Sequence, residues 1–462
     1  MPPDSRDYVR RAERQLAEQP HIRESVTAAT IAFDAHRVRA YGEVDADAWR
    51  TWASKVKSHL LTHLDHYLEE AERHLLENGA VVHWAPNAEA ALAALGRIVE
   101  DEGVRRVVKG KSMLSEELGI NEFLDGLDVE VRETDLGEYI IQLLEEPPSH
   151  IVGPAIHRSV DDVRALFLRE LGTDPEADPD ALAAAARDAL RQDFLSADMG
   201  ITGGNFLVAQ TGTIALIENE GNIRLSTSAP RVHVAFVGLE KLLPTLDDLA
   251  GFLQLTSRAA TGQPIGNFVS LIQGPKRPDE PDGPEQVHVV LVDNGRSRML
   301  GDDDMWEALR CVRCGACLNI CPVYRQTGGH PYGWVYSGPI GSILAPSFLG
   351  MEESLPLPFA SSLCGACADA CPVRIPIPEM LLEWRRRAVE GGHTHRGEGR
   401  AMSAYASAAK RPGAFALGGA VLRSMPSTVR NALPMIRDWS DGRAPIEPSP
   451  KSFRRLFEEG IE

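Results

Sequence analysis

Apolar residues recur every three or four positions through roughly the first 80 residues, set among Ala, Glu, Arg and His. From His59 to Leu75, the positions Leu60, Leu61, Leu64, Leu68, Ala71 and Leu75 fall at helical spacing and predict a single helix there. Residues 1–75 read as a helical N-terminal region. The period then shortens. Runs at Ala80–Trp84, Val104–Val108 and Val129–Val131 alternate with helical stretches such as Ala88–Glu100, the order of strands joined by crossover helices in a largely parallel sheet. Further strand-like runs follow at Phe206–Gln210, Thr213–Glu218, Val232–Val237 and Val287–Val292. Turn signals stand at Gly203-Gly204, Asn219–Asn222 and Asp293–Gly295, and a polar, Pro-rich loop over 273–284 precedes the last run. An α/β domain is expected over 76–299.

All seven cysteines lie between Cys311 and Cys371 of a 462-residue chain. An odd number so closely packed points to a metal site in a reducing compartment, not to a disulfide framework. The first motif is Cys311-Val-Arg-Cys314-Gly-Ala-Cys317-Leu-Asn-Ile-Cys321-Pro322, the spacing C-x2-C-x2-C-x3-C-P. Three thiolates two residues apart wrap one cubane, and the fourth leaves on the next turn to ligate the other cluster of a pair. The second motif, Ser361-Ser-Leu-Cys364-Gly-Ala-Cys367-Ala-Asp-Ala-Cys371-Pro372, repeats the first with serine in the first cysteine's place. Crossed ligation gives one cluster Cys311, Cys314, Cys317 and Cys371, and the other Cys321, Cys364 and Cys367. The second is then a three-iron cluster, a cubane with Ser361 or water on its fourth iron, or a cubane completed by another residue; a cubane with a non-cysteine ligand is the expectation. Zinc also takes four cysteines, but it does not ask for this spacing. Residues 300–385 are thus expected to hold two iron–sulfur clusters, with 4Fe-4S the expected type. The loop Gly328–Gly341 reads as a packed connection, or alternatively as an aromatic wall screening the clusters from water.

Charge narrows the partners. A formal net charge of -18 argues against a nucleic-acid partner. No apolar run approaches the ~18 residues of a membrane span, and MPPDSRDYVR is not signal-like, so a cytoplasmic protein is expected. Residues 386–462 look like an extended, Gly/Ser/Pro-rich tail. Counted from 381, this end carries 14 Lys or Arg against 9 Asp or Glu. It could dock on an acidic surface or wrap the chain's own acidic part.

Other constellations are weaker. His59, His63 and His66 share a helix face and are expected in water. Lys109 and Lys111, with Ser112 and Glu116, follow an apolar run and fit either a ligand pocket at a sheet's carboxyl edge or surface capping. Glu133, Asp135, Glu138 and His157 could form a polar cluster in the same cleft. Arg231 and His233 read as structural. Gly203-Gly204 lacks the rest of a dinucleotide fingerprint, and no Walker A pattern occurs.

Taken together, the cysteine motifs and the segments Lys109–Asn121, Glu133–Ile140, Pro148–Ile151, Ala197–Phe206, Pro230–His233, Gly328–Gly341 and Ser449–Phe457 resemble the lactate-utilisation iron–sulfur proteins of the LutB/YkgF kind. The resemblance covers most of the chain. It implies a LUD domain of the NagB/RpiA/CoA-transferase-like fold, then a two-cluster ferredoxin-like domain. It also implies an electron-transfer subunit of a complex oxidising L-lactate to pyruvate, partnered by the other subunits and by electron donor and acceptor proteins. The competing reading is a LUD-domain enzyme acting directly on a small carboxylic acid, with the clusters as electron acceptor; a structural scaffold is a third. Some family members carry cysteine where Ser361 stands. Gln210 stands where an acid is common in the wider LUD group, and an amide cannot serve as a carboxylate nucleophile.

Overall fold

Six parallel strands organise the first 387 residues of the computed structural model, which describes residues 5–460 apart from 395, 434–435, 438–439, 441–443 and 446. The strands are β1 (Val81–Ala85), β2 (Arg106–Lys109), β3 (Glu130–Glu133), β4 (Met199–Gly203), β7 (Val232–Gly238) and β10 (Gln286–Val292). Their order is β1-β10-β7-β4-β2-β3. Every residue of β7 is buried, as expected of a central strand covered on both faces, and its sequence is correspondingly apolar. From β2 the chain steps outward to β3, then returns to β4 on the other side of β2 and continues away through β7 and β10. The connections therefore reverse between β2 and β4. That reversal opens a crevice beyond the carboxyl ends of these two neighbours.

A smaller mixed sheet, ordered β8-β5-β6-β9, lies in the same unit. It comprises β5 (Phe206–Val208), β6 (Thr213–Glu218), β8 (Leu242–Leu243) and β9 (Phe268–Ile272). The expected strands are all present, some of them shorter or shifted by a residue or two. Strands β4, β8 and β9 were not foreseen. The reason is plainest in β4, where Met-Gly-Ile-Thr-Gly has little strand propensity. A side chain at Gly200 would meet the Ser226 carbonyl oxygen at 1.7 Å, so close packing of the following helix demands glycine there.

The N-terminal region is helical, but the helix expected across His59–Leu75 is two. Helix α3 (Ala46–Thr62) ends at His63, and α4 (Leu64–Glu77) starts immediately after it. The break divides the apolar face between two cores. Leu61 packs with Phe206, Phe252 and the cysteine module, while Leu60, Leu64, Ala71 and Leu75 pack with Leu207, Ile214 and Val289. The first of these cores also takes Tyr8 and Val26 from α1 (Tyr8–Glu18) and α2 (Pro20–Tyr41). The cysteine motifs are thus built into a core shared with helices some 300 residues earlier.

The segment expected to be an extended tail is substantially helical. Helices span Arg396–Ala409, Pro412–Ser424, Ser427–Ala432 and Phe453–Glu458 within the second unit, 388–462. Local signals account for this. Alanine dominates the end of the first, Pro412 opens the second, and the Ser452 hydroxyl caps the last by accepting from the Arg455 N–H at 3.3 Å. Among the described residues no helix is long and apolar enough to cross a membrane.

Candidate iron–sulfur site and the adjoining cleft

The two cysteine motifs fold alike. Gly315 (φ +76°) and Gly365 (φ +85°) occupy the left-handed region before the short helices Ala316–Ile320 and Ala366–Ala370. Two residues earlier, Arg313 (φ 59°) and Leu363 (φ 54°) are left-handed as well. These turns aim backbone N–H groups at the ligand atoms. The Arg313 N–H donates to Cys311 Sγ at 3.4 Å, and the Leu363 N–H donates to Ser361 Oγ at 3.1 Å. Farther along, the Tyr324 N–H reaches Cys321 Sγ at 3.5 Å and the Ile375 N–H reaches Cys371 Sγ at 3.4 Å.

Burial raises the thiols, and the neighbours that add to it show which cysteines lie close together. Burial raises the Cys314 thiol, and Cys311 and Cys371 raise it further; Cys317 is raised by burial, then by Cys311 and Cys314. Cys371 is pushed up to about 11 by burial, with Cys311 adding to it. Cys321 is raised by burial and by Cys364, whereas Cys367 is pushed up to about 12 by burial together with Cys321 and Cys364. Cys314, Cys317 and Cys371 thus each have Cys311 as a neighbour, Cys321 and Cys367 each have Cys364, and Cys317 neighbours Cys367 as well as Cys371, so the two motifs lie side by side.

This donor set fits iron–sulfur clusters. Soft thiolates crowded in an apolar core need a metal to hold their charge, and binding it would displace their protons. Zinc also takes cysteine thiolates, but the C-x2-C-x2-C-x3-C-P spacing is that of iron–sulfur ligation.

Residues far away in sequence brace the motifs. Arg50 on α3 donates to the carbonyls of Cys371 (2.9 Å) and Ala368 (3.1 Å), which end the second short helix. His150 accepts the N–H groups of Val152 and Gly153 on Nδ1, so Nε2 carries the proton and donates to Asn319 Oδ1 at 3.0 Å. Burial lowers His150 to about 3, keeping it neutral. From the Gly328–Gly341 loop, Tyr332 is buried with its ring 5.0 Å from that of Tyr8, while His330 Nε2 meets the Pro147 carbonyl at 2.9 Å.

A buried ion-pair chain links the sheet to the first motif. Tyr336 donates to Glu117 at 2.7 Å, Glu117 holds Arg296 through two bonds of 2.8 and 2.9 Å, and Arg296 Nε reaches Glu240 at 2.6 Å. The other Glu240 oxygen faces Arg313 Nη2 at 3.4 Å. Burial alone would raise Glu240, but Arg296 and Arg313 outweigh it and hold the carboxyl at about 2.

Beside this chain lies a cleft of about 270 Å³ at the β2/β4 reversal. Lys111 and Ser112 after β2, Asn205 after β4, Lys241 after β7, and Arg313 and Cys314 of the first motif line it. Gly203 is needed at its floor, because a side chain there would meet Ser112 Oγ at 2.6 Å.

The other candidates separate. Lys111 and Asp135 do line the cleft, 3.7 Å apart. Lys109 does not; it is buried with Nζ 2.7 Å from Glu133 and 3.0 Å from Glu116. Glu138 joins that cluster, its carboxyl raised by burial and then by Glu133 and Glu116. His157 lies apart, paired with Glu146 at 2.9 Å. Arg231 pairs with Glu102 and His233 bonds Thr202 at 2.8 Å, both structural. Gln210 Oε1 accepts the Leu246 N–H. His59, His63 and His66 are exposed. Sequence reasoning missed Arg50, Glu117, Glu240, Lys241, Arg296 and Arg313. The available signal was charge directly after an apolar strand, as in Glu240-Lys241, and a cation inside Cys311–Cys314.

Similarity to known proteins agrees with this layout. The LUD domain family matches residues 68–292, and the 4Fe-4S dicluster domain family matches residues 307–375. Lactate utilization protein B of Shouchella clausii (strain KSM-K16) is 40% identical over 458 residues, covering 97% of this chain and 96% of that protein. The chain belongs to the lactate utilisation protein B family. The C-terminal domain of that family matches residues 385–460. Within the same similarity, a protein of Escherichia coli (strain K12) named uncharacterized electron transport protein YkgF is 39% identical, covering 96% of this chain and 95% of its own. A crystal structure of a duf162 family protein from Deinococcus radiodurans aligns with 50% of this chain and 98% of its own at 16% identity, with a TM-score of 0.29. The family's architecture is therefore a LUD domain followed by a ferredoxin-type domain whose cofactors are iron–sulfur clusters.

Proposed function

We propose that this chain is the iron–sulfur electron-transfer subunit of a multi-subunit complex that oxidises L-lactate to pyruvate. The observation that carries the reading is two cysteine motifs folded alike and packed into one core, where five of the seven thiols are buried, Cys317 is half-buried and Cys364 is exposed. In this reading Cys311, Cys314, Cys317 and Cys371 hold one 4Fe-4S cluster. Cys321, Cys364 and Cys367 hold the second, with Ser361 at its fourth position. Such clusters supply one-electron steps, and two of them in sequence can pass on both electrons released when a 2-hydroxy acid becomes a 2-oxo acid. The protein's own part is to exclude water with Tyr8, Tyr324 and Tyr332, and to donate backbone N–H groups to the sulfurs. Excluding water raises the cost of added negative charge and the N–H donors lower it, so the two together tune where the electron rests. The names of the lactate utilization relatives and of the electron transport relative support the pathway and the role. The electron donor and acceptor proteins, and the other subunits, complete the complex, in the cytoplasm.

The test is anaerobic purification with iron and sulfide quantitation, EPR before and after dithionite, and lactate turnover with and without partner subunits. About eight irons per chain, reducible clusters and little turnover by the isolated chain are expected. Colourless protein holding only zinc would overturn the reading. A second reading, an enzyme acting directly on a small carboxylic acid, is favoured by one observation, the contact of the cleft with Cys314. Substantial turnover by the isolated, cluster-loaded chain would select it.

A further inference from the structure

The cleft at the β2/β4 reversal holds a buried guanidinium, that of Arg313, two of whose nitrogens the fold leaves without an acceptor. We propose that it binds a small organic carboxylate, held by Arg313 and Lys241 against the first cysteine motif. The proposal deepens the electron-transfer reading, because it puts a small-molecule site beside one cluster.

Arg313 carries the case. Its side chain is 7% exposed, yet Nε and Nη1 have no hydrogen-bond partner in the protein. Buried guanidinium groups ordinarily fill their donors. The third nitrogen shares Glu240 with Arg296, and at 3.4 Å it is the looser of the two contacts. Stacking 4.7 Å above the Tyr336 ring fixes the plane of the group at the cleft wall. Lys241 lines the same wall and has Arg313 as a like-charged neighbour; Glu240 is the carboxylate next to both. Arg313 and Lys241 have Glu240 and the Cys311 thiol as negatively charged neighbours, and an anion in the cleft would supply acceptors for the unused Arg313 donors.

The rest of the lining selects the kind of anion. Ile151, Val152, Leu216 and Ile223 give the cleft apolar walls, which suit a ligand with a carbon body. Its carboxylates are Asp135, Glu218, Glu220 and Glu240. Asp135 faces Lys111, Glu218 accepts the N–H groups of Ile223 and Arg224, and Glu220 accepts that of Leu136. This negative charge disfavours a multiply charged phosphate and leaves room for one carboxylate. The position is the one at which open α/β sheets bind ligands, the crevice where strand connections reverse. Because Cys314 lines it too, the bound acid lies against the first cluster's ligands.

The test uses the full, cluster-loaded chain under anaerobic conditions. L-lactate, pyruvate, acetate, succinate and inorganic phosphate are titrated by calorimetry, and the EPR spectrum of the dithionite-reduced protein is recorded with and without each. Saturable binding of at least one monocarboxylate, weakened at least tenfold in Lys241→Met and in Arg313→Gln at unchanged iron content, is expected, with an altered EPR signal. Arg313→Gln lies inside the motif and could lose iron; Lys241→Met then decides. Absence of saturable monocarboxylate binding by iron-replete protein overturns the proposal, as does tighter binding of phosphate or an unchanged affinity in Lys241→Met. Missing iron sinks the electron-transfer reading instead, so the two failures are distinguishable.

Discussion

Ser361 occupies in the second cysteine motif the place that Cys311 occupies in the first. Each accepts the N–H of the residue two positions on, at 3.1 Å for the hydroxyl and 3.4 Å for the thiol, and each precedes a left-handed residue and a left-handed glycine. The backbone of a cluster loop is therefore complete on both sides, and only the ligand atom differs.

From this equivalence, Ser361→Cys is expected to fold normally and to supply a fourth sulfur to the second group. Wild-type protein treated with mild oxidant should fall from about eight irons per chain to about seven and show a three-iron EPR signal. The variant should keep its iron and show much less of that signal. Equal iron loss from both proteins would count against a ligand role for position 361.

Glu240 is buried between two guanidinium groups and joins the sheet to the first motif. Glu240→Gln leaves Arg296 and Arg313 short of a counter-charge, so a loss of roughly 3–5 kcal/mol is expected. The shift of the urea midpoint under anaerobic conditions measures it. A change below about 1 kcal/mol would mean the pairs are dispensable.

Arg50 satisfies two carbonyls at the end of the helix that carries Cys367. Arg50→Ala should cost about 1–3 kcal/mol, the usual effect of leaving part-buried acceptors unpaired. Retention of iron during dilution is the sharper readout, and faster loss than from wild type is expected. Arg50→Lys should recover only part, since one ammonium cannot match the planar fork.

Acid should weaken the fold through buried neutral histidines. Burial lowers His150 to about 3 and His233 to about 4, below the unfolded value of about 6.5. The unfolded chain then binds more protons as pH falls below about 6.5, so stability is full above that value and declines toward pH 4. The slope approaches about 1.4 kcal/mol per pH unit for each histidine. Urea midpoints at pH 7.5, 6 and 5 test this. His233→Gln should show a shallower decline, and an identical decline would remove His233 from the account.

The sequence by itself determined what is local. The spacing of the thiols, the serine in the second motif, and the apolar runs of β1, β2, β3, β6, β7 and β10 each lie within a few consecutive residues, where chain geometry alone relates them. It could not show where the His59–Leu75 helix breaks, because no glycine or proline marks His63 and the break answers to two separate cores. Nor could it tell Lys109, buried against Glu133, from Lys111 at the cleft, since the two differ by where β2 ends. The contact of Arg313 with Glu240 joins residues 73 positions apart. Only the sheet order and the cysteine module packed against it bring those charges together, because pairings at such separation are paid for by burial in the folded core and leave no periodic trace along the chain.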